Sequence, residues 1–209
     1  MLLSYIFGLV ISYLIGSIPF GYIIAITKGI DIREHGSGNI GATNVSRILG
    51  RKYGILIFVL DLIKGFMVVF LIPVFVSDIK FPTTSDSLLV VLCGACAIFG
   101  HVFPLYLKFK GGKAVATSVG VFLWLSPVPV AMALCVWVIT MLVSRYVSAG
   151  SIMGTLAFVG GIIGFENDPF GNGIYLTTIS ITAAILIILR HITNIKRIIE
   201  GTETKVFSK

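Results

Sequence analysis

Long apolar stretches alternate with short polar ones along this chain. The apolar runs predict helices near 2–27, 53–77, 87–107, 114–126, 128–144, 150–165 and 174–190. They are too long for strands and show no strict two-residue alternation. A helix needs about 20 residues to cross a bilayer, with a range of about 17–25. Most of these runs satisfy that. The fourth and sixth are short, which predicts tilt, a break or re-entry. Turn residues mark joints at Ser126-Pro127-Val128-Pro129 and across 167–173. The first run, Leu2 to Ile26, is too long for a signal-peptide core and has no basic segment before it, so it reads as a retained span. No internal repeat is visible. The expected fold is therefore all-α: a polytopic membrane protein with about seven transmembrane helices.

Composition supports the pattern. The chain is 56% hydrophobic and 12% charged, with mean hydropathy +1.03. A soluble 209-residue domain could not hide that much apolar surface, so lipid must cover it and residues 1–209 read as a single membrane-embedded domain. The net charge of +7 then describes loops and not a nucleic-acid site. Lys28, Arg33, Arg47, Arg51, Lys52, Lys108, Lys110, Lys113, Arg145, Arg190, Lys196, Arg197, Lys205 and Lys209 all fall on one side of a seven-span topology. Only Lys80 falls opposite, and Lys64 lies within a span. That bias makes the basic side cytoplasmic, with the N-terminus outside and the C-terminus inside. Losing the short pair 114–144 from the count would not change it. Three cysteines give no disulfide framework, and Cys93 and Cys96 lie in an apolar run that suits packing better than redox or metal chemistry.

Three polar segments break the apolar pattern, all on the cytoplasmic side, and each suits phosphate. The first runs from Gly36 to Arg47. Its glycines permit close ligand approach and an anion nest, with Gly38 and Gly41 central. Ser37, Asn39, Thr43 and Asn44 add donors, and Arg47 can grip phosphate with a bidentate fork. The second, Gly111-Gly112-Lys113, directly opens a helix near Ala114, where free N–H groups and the helix dipole attract anions. It is not a Walker A motif, because Ala114 stands where a hydroxyl residue belongs. The third continues the last helix. Arg190, Asn194 and Arg197 share a face there, and His191 beside them could orient a hydroxyl or accept its proton. The 145–151 turn faces the same side and offers Ser148 and Ser151. Asp61 and Lys64, at i, i+3 within a span, are spaced for an ion pair that braces the site. His101 leads into the second segment in a supporting role, and Glu203 braces the tail.

The residue types favour binding and polarisation over covalent catalysis. There is no Gly-x-Ser-x-Gly elbow and no carboxylate cluster for magnesium, so no metal or cofactor is expected. A small transporter for an organic phosphate would explain the basic loops and the intramembrane Asp61 and Lys64. It would not explain phosphate-binding segments confined to one face, since alternating access places its sites near the midplane. An enzyme of the CDP-alcohol type would need an aspartate-rich metal motif that is absent.

Three motifs carry a family resemblance. They are Ser37-Gly38-Asn39-Ile40-Gly41-Ala42-Thr43-Asn44-x-x-Arg47, then His101-x-Phe103-Pro104 through Gly111-Gly112-Lys113-Ala114-Val115-Ala116-Thr117, then Arg190-His191-x-x-Asn194-Ile195-x-Arg197-x-x-x-Gly201-x-Glu203. In order and spacing the chain resembles the bacterial acyl-phosphate-dependent glycerol-3-phosphate acyltransferase family (PlsY). The resemblance covers essentially the whole chain. It departs at Ala114, where the family usually has glycine, and adjusted affinity is expected there.

The resemblance implies a reaction. The 1-hydroxyl of sn-glycerol 3-phosphate attacks the carbonyl of a fatty acyl phosphate and gives lysophosphatidate and inorganic phosphate. This would be the first acylation of phospholipid synthesis at the bacterial cytoplasmic (inner) membrane. The implied partners are acyl phosphate, glycerol 3-phosphate and membrane lipid, with no nucleic acid. Ser37, Arg47 and Lys113 are assigned to phosphate and the developing oxyanion, and His191 and Asn194 to glycerol 3-phosphate. The general base is either His191 or a phosphate oxygen of the donor.

Overall fold

Proline sets the first departure from the pattern. The run expected over 2–27 is broken by Pro19, which cannot donate a helical hydrogen bond. The computed structural model describes residues 2–76 and 88–206, and here it shows α1 (Leu2–Ser17) and α2 (Phe20–Ile26) bent by 42°. The remaining helices are α3 (Ala42–Leu49), α4 (Arg51–Val76), α5 (Leu88–Val102), α6 (Val115–Leu125), α7 (Pro127–Ser144), α8 (Val147–Phe165), α9 (Ile174–Leu189) and α10 (Ile192–Ile199). The described residues contain no strand. Lys80 and Lys209, used above to orient the chain, lie outside them.

Two compact helical units divide the chain, residues 1–124 and 125–209. In the first, α1 and α4 pack against α5, and α3 lies on α4. Small residues let the backbones meet. A Cβ on Gly16 would run into the Ala97 backbone, and one on Gly100 into the Tyr13 carbonyl, so α1 and α5 touch backbone to backbone. Gly65 and Gly120 do the same for α4 and α6, facing the Thr117 and Leu62 carbonyls respectively. Beyond that contact Trp124 meets Phe66 and Phe70 edge to face, with centroids 4.9 Å apart for Phe70 and Trp124, while the two phenylalanines stack.

In the second unit α7 and α8 form an antiparallel hairpin, with α9 and α10 on α8. Arg145 closes α7 in the left-handed conformation, φ 63°, and donates its N–H to the Met141 carbonyl. That tight turn lets α8 begin at Val147, earlier than expected. With 19 residues α8 is long enough to span.

Among the described residues, four helices are long and apolar enough to cross a membrane, at 51–75, 88–107, 127–144 and 147–165. The bent pairs α1–α2 and α9–α10 raise the number to six. The fourth expected helix, near 114–126, is α6 and has 11 residues. The α7 window has mean hydropathy 2.1 and is only 11% buried. Water would not tolerate such a surface, so this face requires lipid.

Candidate active site

The first polar segment is held by its own apolar residues. Ile32, Ile40 and Val45 are buried with Ala25, Ile57 and Leu107 beneath it. Asn44 ties the loop from inside and is 2% exposed. Its Nδ2 donates toward the carbonyls of Asn39 at 2.9 Å, His35 at 3.0 Å and Ile32 at 3.3 Å, and its Oδ1 accepts from Ser37 N–H at 2.9 Å. Gly36, at φ 59°, passes so close to that oxygen that a side chain there would displace it.

The segment was expected to be a nest of free N–H groups, and the structure corrects this. Ser37, Gly38 and Gly41 give their N–H groups to Asn44, His35 and Asn39 respectively. Asn44 and Asn39 thus shape the loop from within. What faces outward is Ser37, Thr43 and Arg47, all exposed, the last two one turn apart on α3. At the loop entrance the Arg33 side chain binds Asp31 and holds its carboxyl at about 2.

The second segment lies on the end of α5. Its two glycine N–H groups, expected to be free for an anion, are not: Gly111 N–H donates to the Val102 carbonyl at 3.2 Å and Gly112 N–H to the His101 carbonyl at 3.1 Å. The helix that follows starts one residue later than expected. Ala114 is left-handed, φ 58°, and α6 begins at Val115. L-residues adopt this conformation at a cost that glycine does not carry. Lys113 is half-buried beside the turn.

Behind the second segment is a buried polar cluster. Lys64 Nζ lies 2.7 Å from Asp61 Oδ1, so their i, i+3 spacing does form an ion pair, with both side chains about 95% buried. Lys64 also donates to the Ile18 carbonyl at 2.9 Å, one of the carbonyls left over where Pro19 breaks the first helix. His101 Nδ1 is 3.6 Å from Asp61 Oδ1 and 3.1 Å from Thr117 Oγ1. No carboxylate stands near His101 in the chain; Asp61 supplies one in space, forty positions away. Thr117 closes the second motif, but one hydroxyl residue near a helix start carries no assignable role in sequence.

The third segment does not continue the last helix. The chain bends by 48° at Arg190-His191, leaving Arg190 at the end of α9 and Asn194 and Arg197 on α10. The three do not share one helical face as expected. Asn194 and Arg197 do come together, on Glu203, after Gly201 turns the chain back at φ 70°. Ser148 reaches the same carboxylate. Ser151 instead donates to the Val147 carbonyl and accepts from Trp137 Nε1 at 3.4 Å. His191 is 3% exposed, and its Nδ1 lies 2.7 Å from the Ile187 carbonyl. A carbonyl only accepts, so Nδ1 carries a proton and a neutral ring presents its lone pair at Nε2.

Both units therefore carry clustered polar groups of the kind that handle phosphates and hydroxyls. A family model described as glycerol-3-phosphate acyltransferase matches residues 6–201. The chain belongs to the glycerol-3-phosphate acyltransferase family. A family member from Desulforamulus reducens is 44% identical over 199 residues, covering 95% of this chain and 93% of its own. One from Aquifex aeolicus is 41% identical over 199 residues, covering 95% and 97%. The fold matches the crystal structure of PlsY, an integral membrane glycerol 3-phosphate acyltransferase, in its glycerol 3-phosphate form. That match has a TM-score of 0.87 at 40% identity and covers 97% of this chain and 96% of that one. The lysophosphatidic acid form matches with a TM-score of 0.83.

Proposed function

We propose that this protein transfers a fatty acyl group from acyl phosphate to the 1-hydroxyl of sn-glycerol 3-phosphate. The observation that carries the reading is the near full-length match to an acyltransferase solved with glycerol 3-phosphate and with lysophosphatidic acid, the acceptor and product of such a reaction. The donor is what the resemblance to the PlsY family implies, and the chemistry of the site fits it. An acyl phosphate is already activated, and the site residues offer cations, hydroxyls and amides in place of a covalent nucleophile with its base.

The hydroxyl oxygen attacks the acyl carbonyl, the bond from that carbon to the phosphate oxygen breaks, and inorganic phosphate leaves. Arg47, Ser37 and Lys113 bind phosphate and the developing oxyanion. His191 and Asn194 bind glycerol 3-phosphate. The hydroxyl proton passes to His191 Nε2 or to a donor phosphate oxygen. Positioning supplies much of the rate, since both reactants are held by their phosphates. The protein crosses the bacterial inner membrane seven times, α6 being a short crossing, with its C-terminus and polar segments on the cytoplasmic side. That topology rests on the basic-residue bias.

The test uses purified protein in lipid with labelled glycerol 3-phosphate and either palmitoyl phosphate or palmitoyl-CoA. Lysophosphatidate and phosphate in equal amounts, from palmitoyl phosphate alone, is the expected result. Product from the CoA ester alone overturns the donor. No product in either tube, from folded protein, overturns the acyltransferase reading in favour of a transporter.

A further inference from the structure

We propose that His101 is a positioning residue whose imidazole ring forms the seat for Gly112, and so sets where the Gly111-Gly112-Lys113 loop meets phosphate. The proposal rests on the reading above that this loop binds a substrate phosphate.

Three helices fix the ring. His101 stands on the last turn of α5, Asp61 on α4 and Thr117 on the first turn of α6. The carboxylate and the hydroxyl both approach Nδ1, at 3.6 and 3.1 Å. Thr117 is placed there by the backbone contact of α6 on α4, since a Cβ on Gly65 would strike the Thr117 carbonyl. Asp61 is anchored in turn by Lys64. The ring is 94% buried with its residue and cannot swing away without disturbing all three helices.

The opposite edge of the ring meets the loop. A Cβ on Gly112 would fall onto His101, the nearest atoms being Nε2, Cδ2 and Cε1 of the ring. The Gly112 N–H is bonded to the carbonyl of the same histidine. One residue thus holds the glycine twice, by its backbone and by its ring. Gly112 has no left-handed φ, so the demand for glycine here comes from the ring and not from the backbone conformation. A phenyl ring could fill the space, but it could not make the contacts to Asp61 and Thr117 that fix the orientation. Displacement of about 1 Å in such a loop can cost on the order of a hundredfold in rate or binding.

A double-mutant cycle tests this. Gly112→Ala is made in the wild type, in His101→Ala and in His101→Asn, which keeps a polar atom near Thr117 and removes the Nε2 edge. Glycerol 3-phosphate and palmitoyl phosphate are saturated separately, so the curve that moves identifies which phosphate the loop holds. In the wild type the alanine methyl should raise one KM at least tenfold with kcat within about threefold. In either His101 variant it should cost less than twofold, because the atoms it strikes are gone. Recovery of folded, monodisperse protein in the double variant, should Gly112→Ala alone fail to fold, is the same result read on folding. Equal cost of the methyl in all three backgrounds overturns the proposal. An inactive wild type overturns the acyltransferase reading and this proposal with it, and an active wild type with normal KM values in Lys113→Ala removes the loop from phosphate binding.

Discussion

Asn194 donates its amide to Glu203 Oε1 at 2.7 Å, and Ser148 donates to the same oxygen at 3.0 Å. Arg197 Nε takes the other oxygen at 2.8 Å. One buried carboxylate thus orients an expected site residue and fastens the tail, which also bonds Val206 N–H to the Arg145 carbonyl. Glu203→Gln puts an NH2 group where at least one donor already points. A loss of about 1–3 kcal/mol per unsatisfied buried group is expected, with lower activity and earlier cleavage of the tail. Thermal unfolding and limited proteolysis in detergent check this, and a wild-type pattern in both would show that the carboxylate is dispensable.

The same contact has a pH limit. Burial raises the Glu203 pKa, but hydrogen bonds from Arg197, Asn194 and Ser148 outweigh it and hold the carboxyl below its ordinary 4.5. A depressed folded value means the free tail binds the proton more readily than the docked one. The stabilisation is therefore complete above about 4.5 and is lost as pH falls through the lower, docked value. Hydrogen exchange of residues 202–206, corrected for intrinsic rates, should be flat from neutrality to that point and rise below it. A rise already near pH 6 would assign the docking to another group.

For Arg47→Lys the charge stays while the planar fork is lost. Arg47 is exposed on α3 next to Thr43, so insertion and folding should be normal. A bidentate charge-assisted pair is worth about 1.5–3 kcal/mol, which predicts a fall in kcat/KM of about 10- to 100-fold. Turnover at the wild-type level would remove Arg47 from the site.

Hydrophobic period and length made the helices legible in sequence, because lipid-facing helices must be apolar over their whole length. The Asp61–Lys64 pair was legible because an isolated mid-span charge is costly. The bend at Arg190-His191 was not: no proline or glycine marks it, and both flanks are helical. The break at Pro19 was written in the chain but lay inside one uninterrupted apolar run. The role of Asn44 was hidden because a side-chain amide saturated by four loop groups looks, in sequence, like one offered to a ligand. The start of α8 was obscured by Ser148, Gly150 and Ser151, which resemble a loop. Gly150 in fact lets α8 approach the Trp137 carbonyl, and Ser148 serves Glu203.

His191 separates proton transfer from binding. With Nδ1 committed to the Ile187 carbonyl, Nε2 is the nitrogen able to take a proton. General base catalysis contributes about 10²- to 10⁴-fold. If His191 takes the hydroxyl proton, His191→Ala lowers kcat by at least about a hundredfold, beyond whatever it adds to the KM for glycerol 3-phosphate. A loss confined to KM would leave His191 a binding residue and pass the proton to the donor phosphate.

Ala114 is left-handed at φ 58°, and the geometry sets the sign of a change to glycine. The left-handed conformation costs an L-residue about 1–2 kcal/mol. Glycine removes that cost but adds about 0.4–1 kcal/mol of unfolded-state freedom. Ala114→Gly should thus be neutral to about 1 kcal/mol stabilising, a Tm rise of up to about 2–4 °C in a chain of this size. Relief of strain directly after Lys113 should also shift the KM for a phosphate substrate, with kcat little changed. Thermal unfolding and steady-state kinetics on the same preparation read both. A Tm drop of similar size would mean that packing of the buried methyl, 1% exposed in the folded chain, outweighs the backbone strain, and that this protein has adapted its core to the alanine.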